Sequence, residues 1–137
     1  MNSTSFEHIA VAAAALHTRP ESVRLVLAES ERMLANVRVA RSFGSRFLGL
    51  LGRRSLEDME GLLFVPGGSI HTLGMRFAID VIFLDAQMTV LQVRVNVRPW
   101  RFALAPRQTR YVLELRAHAA AACEVAAGQI VTLQTHS

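Results

Sequence analysis

The chain has 137 residues, of which 51% are hydrophobic and 19% are charged, and its formal net charge is +4. This composition excludes a wholly disordered chain, and the length fits one domain that buries a sizeable core. All the basic side chains are arginines and lysine is absent, a bias typical of GC-rich genomes, so charge alone identifies no class of partner.

Residues 1–33 are expected to form an N-terminal extension, poorly ordered or helical, ahead of a single β-rich domain at residues 34–137. Within the extension, Glu21–Met33 has the spacing of a helix. The apolar run Ile9–Leu16 is too short to span a membrane, and the residues before it lack the basic charge of a secretory signal. We therefore expect a cytoplasmic protein without a transmembrane segment, with Met33 as an alternative start.

The rest of the chain predicts short strands with two helices between them. In order, the pattern indicates a strand at Asn36–Ala40, a helix from Ser42 to Leu51, and strands at Leu62–Val65 and Ile79–Leu84. A turn at Asp85–Met88 leads to a returning strand with Leu91, Val93, Val95 and Val97 on one face. The last predicted elements are a strand at Arg110–Arg116 with Tyr111, Leu113 and Leu115 inward, a helix at Ala117–Val125 and a strand at Ile130–Leu133. This order favours an α+β fold, in which one or two short helices pack on a mostly antiparallel, barrel-like sheet.

Four ordered blocks of sequence carry a resemblance to a known family. They are Arg46–Arg53, Gly61–Phe64, His71–Arg76 leading into Ile79–Asp85, and Tyr111–Leu115. Over about residues 36–134 the chain resembles the domain of unknown function 192 family. The resemblance implies a compact β-rich fold with no established activity, in a family whose members are often secreted or envelope-associated and some of which are encoded near pilus-assembly genes.

The chain departs from the family pattern at four places. Phe77-Ala78 replaces more polar residues and a proline, His118 stands where a glycine is usual, and Gln129 replaces an aspartate. A cysteine pair of many secreted relatives is missing around Pro99–Pro106, which favours a reducing compartment for this chain.

Charged residues in apolar surroundings form the main candidate site. Arg46 and Arg53 are seven residues apart and share one face of the predicted helix, whereas Asp80 and Glu114 each lie in a strongly apolar strand. An unpaired buried charge costs several kcal/mol. We therefore expect an arginine of the helix to pair with one of these acids and tie helix to sheet; alternatively, the same charges line a pocket for a small polar or anionic ligand.

The irregular segment Ser69–Met75 adds a histidine beside this predicted charged site. The candidate ligand-binding residues are Arg46, Arg53, His71, Met75, Arg76, Asp80 and Glu114. They favour a non-catalytic binding or accessory domain that recognises a small polar ligand or a protein partner. The alternative is a small enzyme with His71 as general base, oriented by Asp80 or Glu114.

No metal site, cofactor or catalytic nucleophile is expected. The five histidines lack paired spacing, and the single Cys123 cannot build a thiolate site or an internal disulfide. Five arginines between Arg94 and Arg110, with Trp100 among them, form a basic and aromatic face. A solvated face is the simplest interpretation, followed by protein contact and then nucleic-acid binding, because stacking aromatics are scarce.

Overall fold

The structure, a computed structural model, describes residues 22–41, 53–57 and 59–134. Its elements are β1 (Ser22–Leu27), β2 (Met33–Ala40), β3 (Glu60–Phe64), β4 (Ile70–His71), β5 (Ile79–Leu84), β6 (Val90–Val97), β7 (Phe102–Ala103), β8 (Tyr111–Arg116), α1 (Ala119–Ala122) and β9 (Val131–Gln134).

The described strands form a curled main sheet and a small accessory sheet. The main sheet has the order β6-β5-β8-β3-β2-β1-β9, and β4 pairs with β7. Neighbouring strands are antiparallel except β2 and β3, which are parallel. The two edge strands meet where Thr89 bridges Ile130 and the Gly128 N–H donates to the Val90 carbonyl at 2.8 Å. The predicted α+β fold with a barrel-like, mostly antiparallel sheet is confirmed.

Alternating side chains divide the apolar residues between two faces of the sheet. The inner cluster includes Leu25, Val37, Leu63, Ile82 and Leu113, from five different strands. A second cluster covers the outer face and includes Leu62, Phe64, Val81, Phe83 and Val112. As the sequence predicts, Tyr111, Leu113 and Leu115 belong to the inner cluster and Val112 to the outer one.

The helix predicted over Glu21–Met33 is wrong. Ser22–Leu27 is strand β1, which pairs with β2 on one side and β9 on the other. Val23, Leu25 and Leu27 alternate into the inner cluster, so pairing within the sheet determines the conformation of a segment that also has helical spacing. Residues 1–21 lie outside the described residues, and for them the expected extension stays a prediction.

Most of the other predicted elements are confirmed, with small changes in their bounds. The strands expected at Asn36–Ala40, Leu62–Val65 and Ile79–Leu84 correspond to β2, β3 and β5. In the turn after β5, the Asp85 N–H donates to the Thr89 carbonyl at 3.0 Å. The C-terminal helix is shorter than expected, and the helix expected from Ser42 to Leu51 lies outside the described residues.

The alternation predicted along β6 is wrong. Its register against β5 shifts near each end, so Val93 packs on the inner cluster, Leu91 on the outer one, and Val95 is 61% exposed. Asn96, at the second irregularity, has a positive φ of 50°. An extra residue in one strand moves the side chains after it to the opposite face, which a period of two does not allow for.

Candidate functional site

Arg53 pairs with a carboxylate other than those the sequence indicated. Its guanidinium donates to both oxygens of Glu60, with Nη2 at 2.9 Å from Oε2, and that oxygen also accepts the Glu57 N–H at 2.9 Å. The hydrogen bond from Arg53 holds the pKa of Glu60 below its usual value, because it stabilises the ionised carboxylate. The predicted pairing of Arg53 with Asp80 or Glu114 is therefore wrong. Arg46 lies outside the described residues.

Asp80 is fully buried and receives backbone donors. Its two carboxylate oxygens accept the N–H groups of Asn96 and Ala120, each at 2.9 Å. These bonds join β5 to the irregular end of β6 and to the first turn of α1. The described partners of Asp80 are thus backbone amides, and its predicted pairing with Arg46 stays a prediction.

Glu114 lies on the opposite face of the sheet from Asp80. It pairs with Leu62 on β3 and Val81 on β5, in the outer cluster, whereas Asp80 pairs with Leu115, a member of the inner cluster. Glu114 is 4% exposed, and burial raises the pKa of its carboxyl to about 8. The two acids therefore cannot line one pocket.

The segment around β4 brings together the remaining candidate residues. His71 is exposed, its Nδ1 accepts the Leu73 N–H at 3.3 Å, and its ring meets that of Phe102 edge-on at 6.4 Å between centroids. Met75 is buried in the outer cluster and Arg76 is exposed. The described hydrogen bond of His71 is with Leu73 of its own loop, and the described bonds of Asp80 are with Asn96 and Ala120. Asp80 therefore does not orient His71 through a described hydrogen bond.

An exposed apolar surface lies next to His71. Trp100, Phe102 and Leu104 are 64%, 65% and 73% exposed, while the intervening Ala103 is fully buried. We call the side chains of His71, Trp100, Phe102 and Leu104 the Trp100 surface. Scattered apolar side chains on a surface are ordinary, but several large ones together are typical of a contact site.

Buried Thr72 fixes the backbone beneath this surface. The Trp100 N–H donates to the Thr72 carbonyl at 3.0 Å, and the Thr72 N–H donates to the Arg101 carbonyl at 2.9 Å. The Thr72 hydroxyl donates to the Arg98 carbonyl at 2.6 Å and accepts the Arg101 N–H at 2.9 Å. These bonds hold Trp100 at a φ of 64°, a left-handed conformation that is strained for a bulky side chain.

Two exposed arginines, Arg98 and Arg101, flank Trp100 in a stretch of the chain without acidic residues. No aspartate or glutamate occurs from residue 86 to residue 113. Five arginines lie in that stretch, all exposed: Arg94, Arg98, Arg101, Arg107 and Arg110. Within the described residues, the ion pairs are Arg53 with Glu60 and Arg32 with Glu124, so none of the five joins one.

Sequence reasoning identified Trp100 and the arginines of this face but missed Thr72, Phe102 and Leu104. The alternation of large apolar residues at 102 and 104 around Ala103 was a usable signal, since it places Phe102 and Leu104 on the same side of a short strand. The role of Thr72 depends on contacts about thirty positions away along the chain and has no local signature.

A cleft of about 630 Å³ lies beside α1. It is lined by Leu34, Met59, Glu60, Leu115, Arg116, Ala117, His118, Ala119, Ala122 and Cys123. The Cys123 thiol donates to the Met33 carbonyl at 3.7 Å, and burial raises its pKa, which makes it a poor nucleophile. In the described part of the chain, no three potential ligands from histidine, cysteine, aspartate and glutamate group to hold a metal ion, and no helix is long and apolar enough to cross a membrane.

Comparison with known proteins identifies uncharacterised relatives. The DUF192 family model, described as "Uncharacterized ACR", matches residues 25–133. A UPF0127 protein of Pyrococcus furiosus is 36% identical over 93 residues, which cover 66% of this chain and 79% of that protein. A UPF0127 protein of Pyrococcus abyssi is 32% identical over 92 residues, covering 63% and 75% of the two chains.

Two crystal structures resemble this fold. A protein of unknown function from Novosphingobium aromaticivorans has a TM-score of 0.71 and 25% identity, covering 80% of this chain and 82% of its own. A putative transcription regulator from Sinorhizobium meliloti has a TM-score of 0.69 and 26% identity, covering 82% of this chain and 92% of its own.

Proposed function

The chain belongs to the DUF192 family of uncharacterised proteins, and we propose that it is a non-catalytic binding domain whose Trp100 surface docks a segment of another protein. The observation that carries this proposal is the exposed Trp100, held in a left-handed backbone conformation by hydrogen bonds to buried Thr72. Tryptophan and arginine are the residues most enriched among those that dominate binding energy at protein interfaces.

Pre-organisation supports a binding role for this surface. A strained backbone persists only where its surroundings enforce it, and such positions cluster at functional sites. Because Thr72 bonds both sides of the turn, the backbone that carries Trp100 is ordered before any partner arrives. Binding then loses less conformational entropy than it would with a mobile loop.

This proposal retains part of the site predicted from the sequence. His71 contacts Phe102, and Arg76 is exposed five residues further along the chain. Replacing either His71 or Arg76 is expected to weaken binding without unfolding the domain, because neither side chain is buried. Asp80 and Glu114 are buried on opposite faces of the sheet, which favours a structural role over recognition of one small polar ligand.

Nucleic-acid binding is the second candidate, favoured by the arginines without acidic partners. The Sinorhizobium meliloti relative is described as a putative transcription regulator, which is a statement about that protein. Single-strand binders stack bases on aromatic rings. Leu104, the most exposed large apolar side chain among the residues that the structure describes, offers no such ring, so the Trp100 surface fits a protein partner better.

The test selects short peptides displayed on phage against the wild-type domain and then titrates a synthetic copy of a selected peptide. Trp100 is the one tryptophan of the chain, so its fluorescence reports directly on this surface. We expect the peptide to shift the emission of Trp100 to shorter wavelength, because binding removes the indole from water. Phe102→Ala and Leu104→Ala should each weaken binding by roughly tenfold.

Val95→Ala is the matched control, since Val95 is comparably exposed but lies on β6, outside the Trp100 surface. It should leave the affinity unchanged. Thr72→Val should weaken binding without touching the peptide, because it releases the turn that carries Trp100. A library that yields no binder, or peptides that bind Phe102→Ala and wild type equally, would overturn the proposal.

A further inference from the structure

We propose that the segment docking on the Trp100 surface is acidic, with carboxylate side chains flanking one or two apolar side chains that cover Trp100 and Phe102. This inference rests on the proposed function and adds the chemistry of the partner. The acidic character of the partner is inferred from the charges near this surface, whereas the docking itself is inferred from the exposed apolar side chains.

The positive charge of the segment that carries Trp100, including the flanking Arg98 and Arg101, is not balanced within that segment. The stretch from residue 86 to residue 113 holds five arginines and no acidic residue. Within the described residues these five make no ion pair, and a guanidinium nitrogen of Arg101 donates to the Trp100 carbonyl at 3.2 Å. Their guanidinium groups are therefore available to an incoming carboxylate.

Other arginines of the fold do find acids, which makes the imbalance local. Arg53 is bound to Glu60 through two hydrogen bonds, and Arg32 lies 3.5 Å from Glu124. Acids are thus paired with some arginines elsewhere on the surface, whereas Arg98 and Arg101 beside Trp100 join no ion pair in the part of the chain that the structure describes. Complementary charge at an interface raises association rates and selects partners.

The same charge argues against a second copy of this chain as the occupant. Two such surfaces meeting face to face would bring the Arg98 and Arg101 side chains of both copies together, with no acid from residues 86–113 to separate them. A nucleic acid would supply negative charge, but it would leave Leu104 without an apolar neighbour. An acidic peptide that also carries apolar side chains meets both requirements.

The experiment starts from peptides selected as described above and compares their composition with that of the unselected library. A selected peptide is then synthesised with every Asp and Glu replaced by Asn and Gln. We expect enrichment of acidic residues in the selected set, and roughly tenfold weaker binding of the neutral peptide at low salt. Raising the salt from about 50 mM to about 500 mM should remove most of that difference, because exposed charges are screened.

Two arginine variants test where the charge acts. Arg98→Gln removes a guanidinium two residues from Trp100, whereas Arg32→Gln removes one that is already near Glu124. Each substitution removes one positive charge, so the net charge of the two variants is the same. Arg98→Gln should weaken the acidic peptide about threefold and leave the neutral peptide unaffected. Arg32→Gln should change neither.

Each outcome separates this inference from the proposed function. If selected peptides depend on Phe102 but show no acidic enrichment, and the neutral peptide binds as tightly, the docking surface stands and the acidic partner is wrong. If a short oligo(dT) strand binds more tightly than any selected peptide and depends on Trp100, both give way to nucleic-acid binding. If Arg32→Gln weakens binding as much as Arg98→Gln, the effect is one of overall charge, and the local recognition proposed here is wrong.

Discussion

Replacing Glu114 with glutamine is expected to make the domain more stable at high pH. Burial between Leu62 and Val81 raises the pKa of Glu114 from an ordinary value of 4.5 to about 8. Between these values the unfolded chain has released the proton that the folded chain still holds, so the free energy of unfolding falls as pH rises. Each pH unit between the two pKa values lowers the free energy of unfolding by about 1.36 kcal/mol, so the whole interval lowers it by about 5 kcal/mol. This loss is complete once the pH exceeds the folded-state pKa.

The assay is urea unfolding of wild type and Glu114→Gln from about pH 5 to about pH 9. The two proteins should be similar in stability near pH 5, and the variant should be more stable by several kcal/mol near pH 9, because glutamine stays neutral. Glu60→Gln is the control. Because the pKa of Glu60 is lowered, its contribution to the free energy of unfolding is complete at any pH above the ordinary pKa of glutamate. The difference in stability between this variant and wild type should therefore stay constant over this range. A constant difference for Glu114→Gln would refute the reasoning.

Two further substitutions test the packing around the sheet. Asp80→Asn should lower the free energy of unfolding by about 1.5–3 kcal/mol in urea titrations. One of the two N–H groups that now bond to Asp80 would then face an amide NH₂ instead of an acceptor. A loss under about 0.5 kcal/mol would contradict the role given to this carboxylate. Gly67→Ala should cost about 1–3 kcal/mol, because a Cβ at that position would lie 2.5 Å from the Val112 backbone nitrogen. Gly68→Ala is the matched control, since its Cβ would have nothing within 4 Å, and thermal melts of the two variants should differ by several degrees; equal melting temperatures would be inconsistent with this packing.

The sequence predicted the sheet better than the ends of its strands. Ile79–Leu84 is apolar at every position except Asp80, and a run of this kind has few alternatives to a buried strand. β1 was missed because Val23 and Leu27 fit both periods, and its strand partners β2 and β9 decide between them. The irregularity at Asn96 depends on backbone bonding to Asp80 across the sheet, which a local pattern does not contain.

The candidate site was predicted less well, for a related reason. The sequence correctly marks Asp80 and Glu114 as charges that need explanation, but whether two strand residues face each other depends on register and strand order. Those place the two acids on opposite faces, one bonded to backbone amides and the other without a described hydrogen-bond partner. The expected cytoplasmic location stays a prediction.

The two edges of the curled sheet are joined by residues 128–134, near the C-terminal end of the described chain. β9 covers the outer side of β1, and the residues just before it meet β6 through the contact between Thr89 and Ile130. Without β9, the backbone groups of β1 that pair with it would be open, and an open strand edge of this kind associates with other chains. Protection of this edge therefore depends on a strand of four residues, the last element of the described chain.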